Sequence, residues 1–220
     1  KFSGENLQIE TLKSLKVKYP NLKKAIYSTV VDLHPELKKH LHTVFDVLEL
    51  THQTLIPIIN NYGSPETLGK DRLAASVGAA LLFSKKELLV IDAGSSITYE
   101  RISDNTYLGG GISPGIAMRF KALNHFTDKL PLITPEEKQY NLIGKNTEES
   151  ILSGVLNGVI AEVDGIIERY KEKHPDLFVL FTGGDLKHFD KNLKNNIFAA
   201  ENLVLQGLNF ILEYNDNKTA

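Results

Sequence analysis

The sequence predicts an α/β fold with mixed sheets flanked by helices. Three observations carry this: β-branched runs alternate with amphipathic segments, three strand-like runs follow one another across 88–112, and the alternation resumes after residue 146. At 220 residues, 42% hydrophobic and 24% charged, the chain suits one large or two small globular domains with a substantial core. Its formal net charge is −2, with basic residues interleaved among acids, which argues against nucleic-acid or membrane-surface binding. The absence of cysteine excludes disulfides, thiolate metal sites and cysteine nucleophiles. The longest apolar run, 77–83, is too short for a bilayer, and no signal-like segment opens the chain, so the expected location is cytoplasmic.

In chain order, residues 7–17 carry Leu7, Leu12, Leu15 and Val17 in a helical pattern that Tyr19-Pro20 ends. Residues 25–31 form a buried strand, 35–42 a helix and 44–50 another strand. The stretch 54–66 holds Pro57, Asn60, Asn61, Gly63 and Pro65 and reads as a loop. Residues 72–83 are a helix so rich in alanine that it must pack closely. Strands follow at 88–92, 97–102 and 106–112, then a helical pattern through Met118, Leu123 and Phe126, and an irregular segment over 131–140. Asn146 as cap, with Glu149 three residues on, opens a long helix bearing Ile151, Val155, Val159, Val163 and Ile167. A buried strand over 177–181 and a helix over 202–214 complete the chain. The helix stop places a lobe boundary at Ser84-Lys85-Lys86, dividing 1–83 from 84–220.

Two segments carry the chemistry. Gly69-Lys70-Asp71-Arg72 sets a base beside a fixed cation at the mouth of the alanine-rich helix, with Arg72 able to grip a carboxylate bidentately. Asp92-Ala93-Gly94-Ser95-Ser96 ends a strand in an acid and a tight polar turn whose donors suit phosphate. Each also has a plain structural reading: Asp71 as a helix cap with Arg72 exposed, and Gly94 as a positive-φ hairpin residue. Together they point to phosphoryl transfer to a small anionic alcohol. Thr182-Gly183-Gly184-Asp185, after a buried strand, lets a ring or ribose approach the backbone, or is a simple turn. Gly109-Gly110-Gly111-Ile112-Ser113-Pro114-Gly115 lacks dinucleotide-loop spacing, and no P-loop sequence exists. The seven histidines are scattered without zinc spacing. Gly154, Gly158, Ala161 and Gly165 make a bare stripe on the long helix, read either as packing within the chain or as a twofold contact in a dimer.

The ordered set Tyr62, Gly69-Lys70-Asp71-Arg72, Asp92-Ala93-Gly94-Ser95, Gly110-Gly111-Ile112-Ser113-Pro114-Gly115, Thr147, Thr182-Gly183-Gly184-Asp185 and Asn202-Leu203-Val204-Leu205 closely resembles type III pantothenate kinase. The resemblance implies two ribonuclease-H-like lobes of the actin/sugar-kinase/heat-shock ATPase type with an ATP cleft between them. It implies ATP-dependent phosphorylation of pantothenate, the first step of coenzyme A synthesis, by a homodimer using Mg2+ and a monovalent cation, K+ or NH4+. Asp71 would accept the proton, while Tyr62, Gly69, Lys70, Asp71, Arg72 and Thr147 would contact pantothenate. Gly94, Ser95, Ser96, Thr182, Gly183 and Gly184 would meet ATP, and Asp92 would hold the monovalent cation. Ser95 stands where the family usually has Thr. The family opens with an Asp-x-Gly-Asn-Thr-like phosphate-binding segment that these residues lack, an expectation of truncation. The alternatives are a Baf-like transcriptional accessory protein of the same fold or a catalytically inactive metabolite-binding dimer.

Overall fold

A computed structural model describes residues 8–29, 32–83, 87–134 and 140–219. The first unit is a parallel β-α-β arrangement. After α1 (Ile9–Lys18), β1 (Lys24–Tyr27) pairs with β2 (Asp46–Glu49), and α2 (Pro35–Val44) makes the crossover. Proline at the first turn of α2 costs nothing there, because that N–H has no helical acceptor. Leu12, Leu37, Leu41 and Phe45 form a small core of their own. The strand expected over 25–31 is shorter, and Val30 and Val31 lie outside the described residues.

The second unit is a six-stranded mixed sheet in the order β3-β6-β5-β4-β7-β8. Its strands are β3 (Ile59–Asn60), β4 (Leu88–Ala93), β5 (Ser96–Ser103), β6 (Thr106–Pro114), β7 (Phe178–Thr182) and β8 (Phe198–Ala199). The β4-β5 and β5-β6 pairs are antiparallel, whereas β4-β7, β3-β6 and β7-β8 are parallel. The two edge strands escape the sequence reading because two residues show no periodicity; only pairing reveals them. Gly110 in β6 serves strand packing, since a Cβ there would stand 1.6 Å from the Tyr99 carbonyl oxygen.

Helices α3 (Lys70–Leu82) and α7 (Leu203–Thr219) cover the face carrying Leu88, Val90, Ile102 and Leu180. Helices α4 (Ile116–His125) and α5 (Thr147–Lys173) cover the other, with Leu89, Ile91, Val179 and Phe181. The short α6 (Leu186–Phe189) follows β7. The alanine-rich α3 packs closely, as expected: a Cβ on Gly207 would lie 1.8 Å from the Ala74 carbonyl oxygen and one on Gly78 2.7 Å from that of Leu203. By length and composition α5 could cross a bilayer, but Ile151, Val155, Val159, Val163 and Ile167 are buried in the core. The boundary expected at Ser84-Lys85-Lys86 lies outside the described residues. Strand pairing puts β3 in the larger sheet rather than with β1 and β2, while Ile26 and Leu48 of the smaller sheet pack against the same core as α3 and α7.

Candidate active site

Strand alternation places Asp92 on the α3 face of the sheet. Leu88 and Val90 face α3 and α7, so Asp92 follows them, with Thr98 of β5 and Thr182 of β7 directly opposite it in the ladder. Thr98 and Thr182 are buried. Asp92 then borders a cavity of about 540 Å³ shared with Thr182, Gly183, Gly184, Lys187 and Glu201. Gly183 is in the left-handed region at φ +103°, and a Cβ there would fall 2.5 Å from Asp92 Oδ1 and 2.1 Å from the Ala93 carbonyl oxygen. The Asp185 N–H donates to that same Ala93 carbonyl at 3.0 Å. The turn after β7 is thus stitched onto the end of β4, joining two segments that lie far apart in sequence. Burial raises the Asp185 carboxyl above its ordinary value, against the lowering charges of His188 and Lys187.

The Gly94-Ser95-Ser96 turn sits at the same strand ends but does not line that cavity. Its Gly94 N–H is spent on the Ser96 carbonyl at 2.9 Å, so the expected set of phosphate donors is one smaller. Gly94 is not in the left-handed region either, which corrects the positive-φ explanation for it. Gly115 closes on this turn: a Cβ there would be 2.1 Å from the Gly94 carbonyl oxygen.

Asp71 does not cap α3. The cap position is Gly69, with no side-chain hydrogen bond, and Asp71 stands in the first turn, exposed, its Oδ1 accepting from the Arg72 N–H at 2.9 Å. Lys70 Nζ donates to the Leu68 carbonyl at 3.2 Å. Arg72 overturns the exposed reading, being only 6% exposed. Its Nε and Nη2 donate to Glu100 Oε1 and Oε2 at 2.7 and 2.9 Å, and Nη2 also reaches the Tyr107 hydroxyl at 3.1 Å. Tyr107 in turn donates to Glu100 Oε2 at 2.6 Å, and the Tyr62 ring lies 5.6 Å from the guanidinium. Burial opposes the Arg72 charge, but Glu100 outweighs it and holds the group above the ordinary arginine value. Burial and the bond to Glu100 push the Tyr107 hydroxyl up as well. The bidentate carboxylate partner of Arg72 is therefore internal. Glu100 went unread in the sequence, although an acid on the core-facing side of the strand over 97–102 was its visible signal. Because Glu100 is opposite Val90, Arg72 is anchored two residues, roughly 7 Å, back from Asp92 on the same face.

Thr147 lies elsewhere. Asn146 caps α5, its Oδ1 accepting from the Glu149 N–H at 2.9 Å, as the sequence predicts. Thr147 follows at the first helical position and lines an apolar groove of about 910 Å³ between α4 and α5, with Arg119, Phe126, Thr127, Ile151 and Gly154. This groove is on the other face of the sheet from Asp71 and Asp92. One chain does not bring Thr147 and Asp71 together. Arg119 Nη2 is bound to Glu162 Oε2 at 2.7 Å and to the Ser113 hydroxyl at 2.9 Å. A Cβ on Gly154, Gly158 or Gly165 would meet nothing within 4 Å, so among the described residues no close packing accounts for the stripe.

Among the described residues, no three His, Asp or Glu side chains gather to hold a metal. Asp92 flanked by the Thr98 and Thr182 positions does offer oxygen donors, the chemistry a hard cation takes.

A family profile for type III pantothenate kinase matches residues 4–169. The chain is 46% identical over 207 residues to a type III pantothenate kinase of Christiangramia forsetii, covering 94% of this chain and 85% of that one. It is 45% identical over 217 residues to one of Phocaeicola vulgatus, covering 98% and 89%. Among solved structures, a conserved Baf-family protein from Campylobacter jejuni superposes with a TM-score of 0.57 at 25% identity, over 93% of this chain and 89% of that one.

Proposed function

The chain belongs to the type III pantothenate kinase family, and from that premise we propose that it transfers the γ-phosphoryl group of ATP to the primary hydroxyl of pantothenate, opening coenzyme A synthesis in the cytoplasm. The observation that carries this reading is the placement of Asp71, Asp92 and the Thr182-Gly183-Gly184 turn on one face of one sheet. The pantothenate oxygen attacks the γ-phosphorus, the bond to the β,γ-bridging oxygen breaks, and ADP departs. Asp71 orients the hydroxyl and takes its proton late, since the loose transition state needs position and charge neutralisation more than a strong base. ATP occupies the cavity at Thr182, Gly183 and Gly184, with Gly94, Ser95 and Ser96 at the adjoining strand ends. Asp92, beside the Thr98 and Thr182 positions, would hold K+ or NH4+ and so offset phosphate charge. Mg2+ would neutralise charge on the ATP phosphates as the γ-phosphoryl group moves.

Pantothenate lies along Tyr62, Gly69, Lys70 and Asp71, with Arg72 supporting that wall from beneath. Thr147 completes the site from a second copy, because within one chain the sheet stands between Thr147 and Asp71. The open stripe of Gly154, Gly158 and Ala161 on the same helix gives that copy a surface for close approach. Both relatives at 45–46% identity bear the kinase name, so the Baf-like alternative gains nothing over it. The test is ADP release coupled to an indicator enzyme. Release should require pantothenate and rise with potassium; pantothenate-independent release would overturn the assignment.

A further inference from the structure

We propose that Glu100, with Tyr107, is a positioning residue for this phosphoryl transfer, clamping Arg72 so that the neighbouring Asp71 carboxylate is held in its reactive orientation. The inference rests on reading Asp71 as the proton acceptor. Glu100 is 0% exposed, a carboxylate set within a sheet otherwise packed with Val90, Ile102 and Leu180. A buried ion pair is seldom a gain in stability over apolar side chains of similar size, so its place in this core points to another use. The network is complete: Glu100 receives Nε and Nη2 of Arg72 and the hydroxyl of Tyr107, leaving little freedom to the guanidinium.

Three features connect that clamp to Asp71. The cap residue of α3, Gly69, has no side chain to tie down the helix start, and a weakly capped helix end frays. The Arg72 side chain pins this turn to β5 instead. The Arg72 backbone N–H is also the donor to Asp71 Oδ1, so the residue locked below orients the carboxylate above. Gly69 leaves the room this requires, since a Cβ there would stand 2.7 Å from Asp71 Oδ1 and 3.3 Å from Arg72 Cδ.

The experiment compares Glu100→Gln, Glu100→Asp and Tyr107→Phe in the full protein, by ADP release and by calorimetric titration with pantothenate. Glu100→Gln should lower kcat about 100-fold while the pantothenate Kd changes less than about twofold. Glu100→Asp, which keeps the charge one methylene short, should recover about tenfold of that loss. Tyr107→Phe leaves the ion pair in place and should lower kcat about fivefold. A folded Glu100→Gln protein with normal kcat, or one whose whole defect is in pantothenate affinity, overturns the proposal. Should Glu100→Gln fail to fold, Tyr107→Phe decides, and a normal kcat there overturns it too. Asp71→Asn separates the two ideas. If it is inactive while Glu100→Gln is normal, only the positioning role falls; if it turns over normally, the base assignment falls.

Discussion

The two faces of the six-stranded sheet differ in how completely one chain finishes them. On the α3 face, Arg72, Glu100 and Tyr107 are buried and mutually bonded, and the glycines at 78, 183 and 207 are each pressed against backbone. On the α5 face, a Cβ on Gly154 or Gly158 would meet nothing within 4 Å, Phe126 is 80% exposed, and an apolar groove opens beside Thr147. A glycine inside a helix costs about 1 kcal/mol against alanine. On α3 the close crossing of α7 explains it, whereas on α5 no contact among the described residues does. The difference teaches that the first face uses its glycines for close contact within the chain, whereas the second leaves its glycines open among the described residues.

The largest expected effect breaks the first face chemically. Asp71→Asn should cut turnover about 1,000-fold while pantothenate binding survives. Thr147→Glu should also be inactive, by repelling the substrate carboxylate. Mixed together, the two inactive proteins should regain about a quarter of normal activity if each site draws on two copies. No recovery on mixing would return Thr147 to some other role.

Gly183→Ala comes next. The left-handed backbone and the contacts with Ala93 and Asp92 leave no room for a methyl group. A loss of about 2 kcal/mol in urea denaturation should accompany weaker nucleotide binding. An unchanged nucleotide titration would take the cavity at Asp92 out of the ATP site.

Gly158→Ala is the matching change on the second face and should act in the opposite direction. With open space around it, alanine should stabilise the monomer by about 1 kcal/mol. Self-association measured by sedimentation should weaken, and unchanged association would remove the stripe from the contact.

The smallest effect is on acid stability. Burial opposes ionisation of Glu162, but bonds from Ser113 and Arg119 outweigh it and hold the carboxyl below its ordinary 4.5. Its contribution is thus full above about pH 4.5 and fades as the pH falls through the lower folded value. Glu162→Gln should flatten the decline in Tm on acidification. An acid slope equal to that of the unaltered protein would show that the Arg119 contact contributes nothing.

Much of the candidate site's layout is legible in residue order. Asp92 at a strand end and Thr182-Gly183-Gly184 after another read as separate motifs, and the parallel ladder of β4 and β7 brought them into register. Glu100 is not legible in the sequence, because its partner Arg72 lies 28 positions away and a strand pattern shows a buried side without naming what covers it. The inward turn of Arg72 is hidden for the same reason, as a first-turn arginine looks exposed until its partner Glu100 is known.

The sequence by itself determined the principal helices and strands, the capped start of α5 at Asn146, the tight packing of α3 and the family. Those follow from local periodicity, capping and motif order, which act over a few residues at a time. Only the tertiary structure decided that Arg72 turns inward, that the Gly183 turn closes on Asp92, that residues 59–82 belong with the second sheet, and that Thr147 lies across it from Asp71. Each of these depends on which face of a sheet an element covers, and that is set by burial of apolar area among residues distant in the chain.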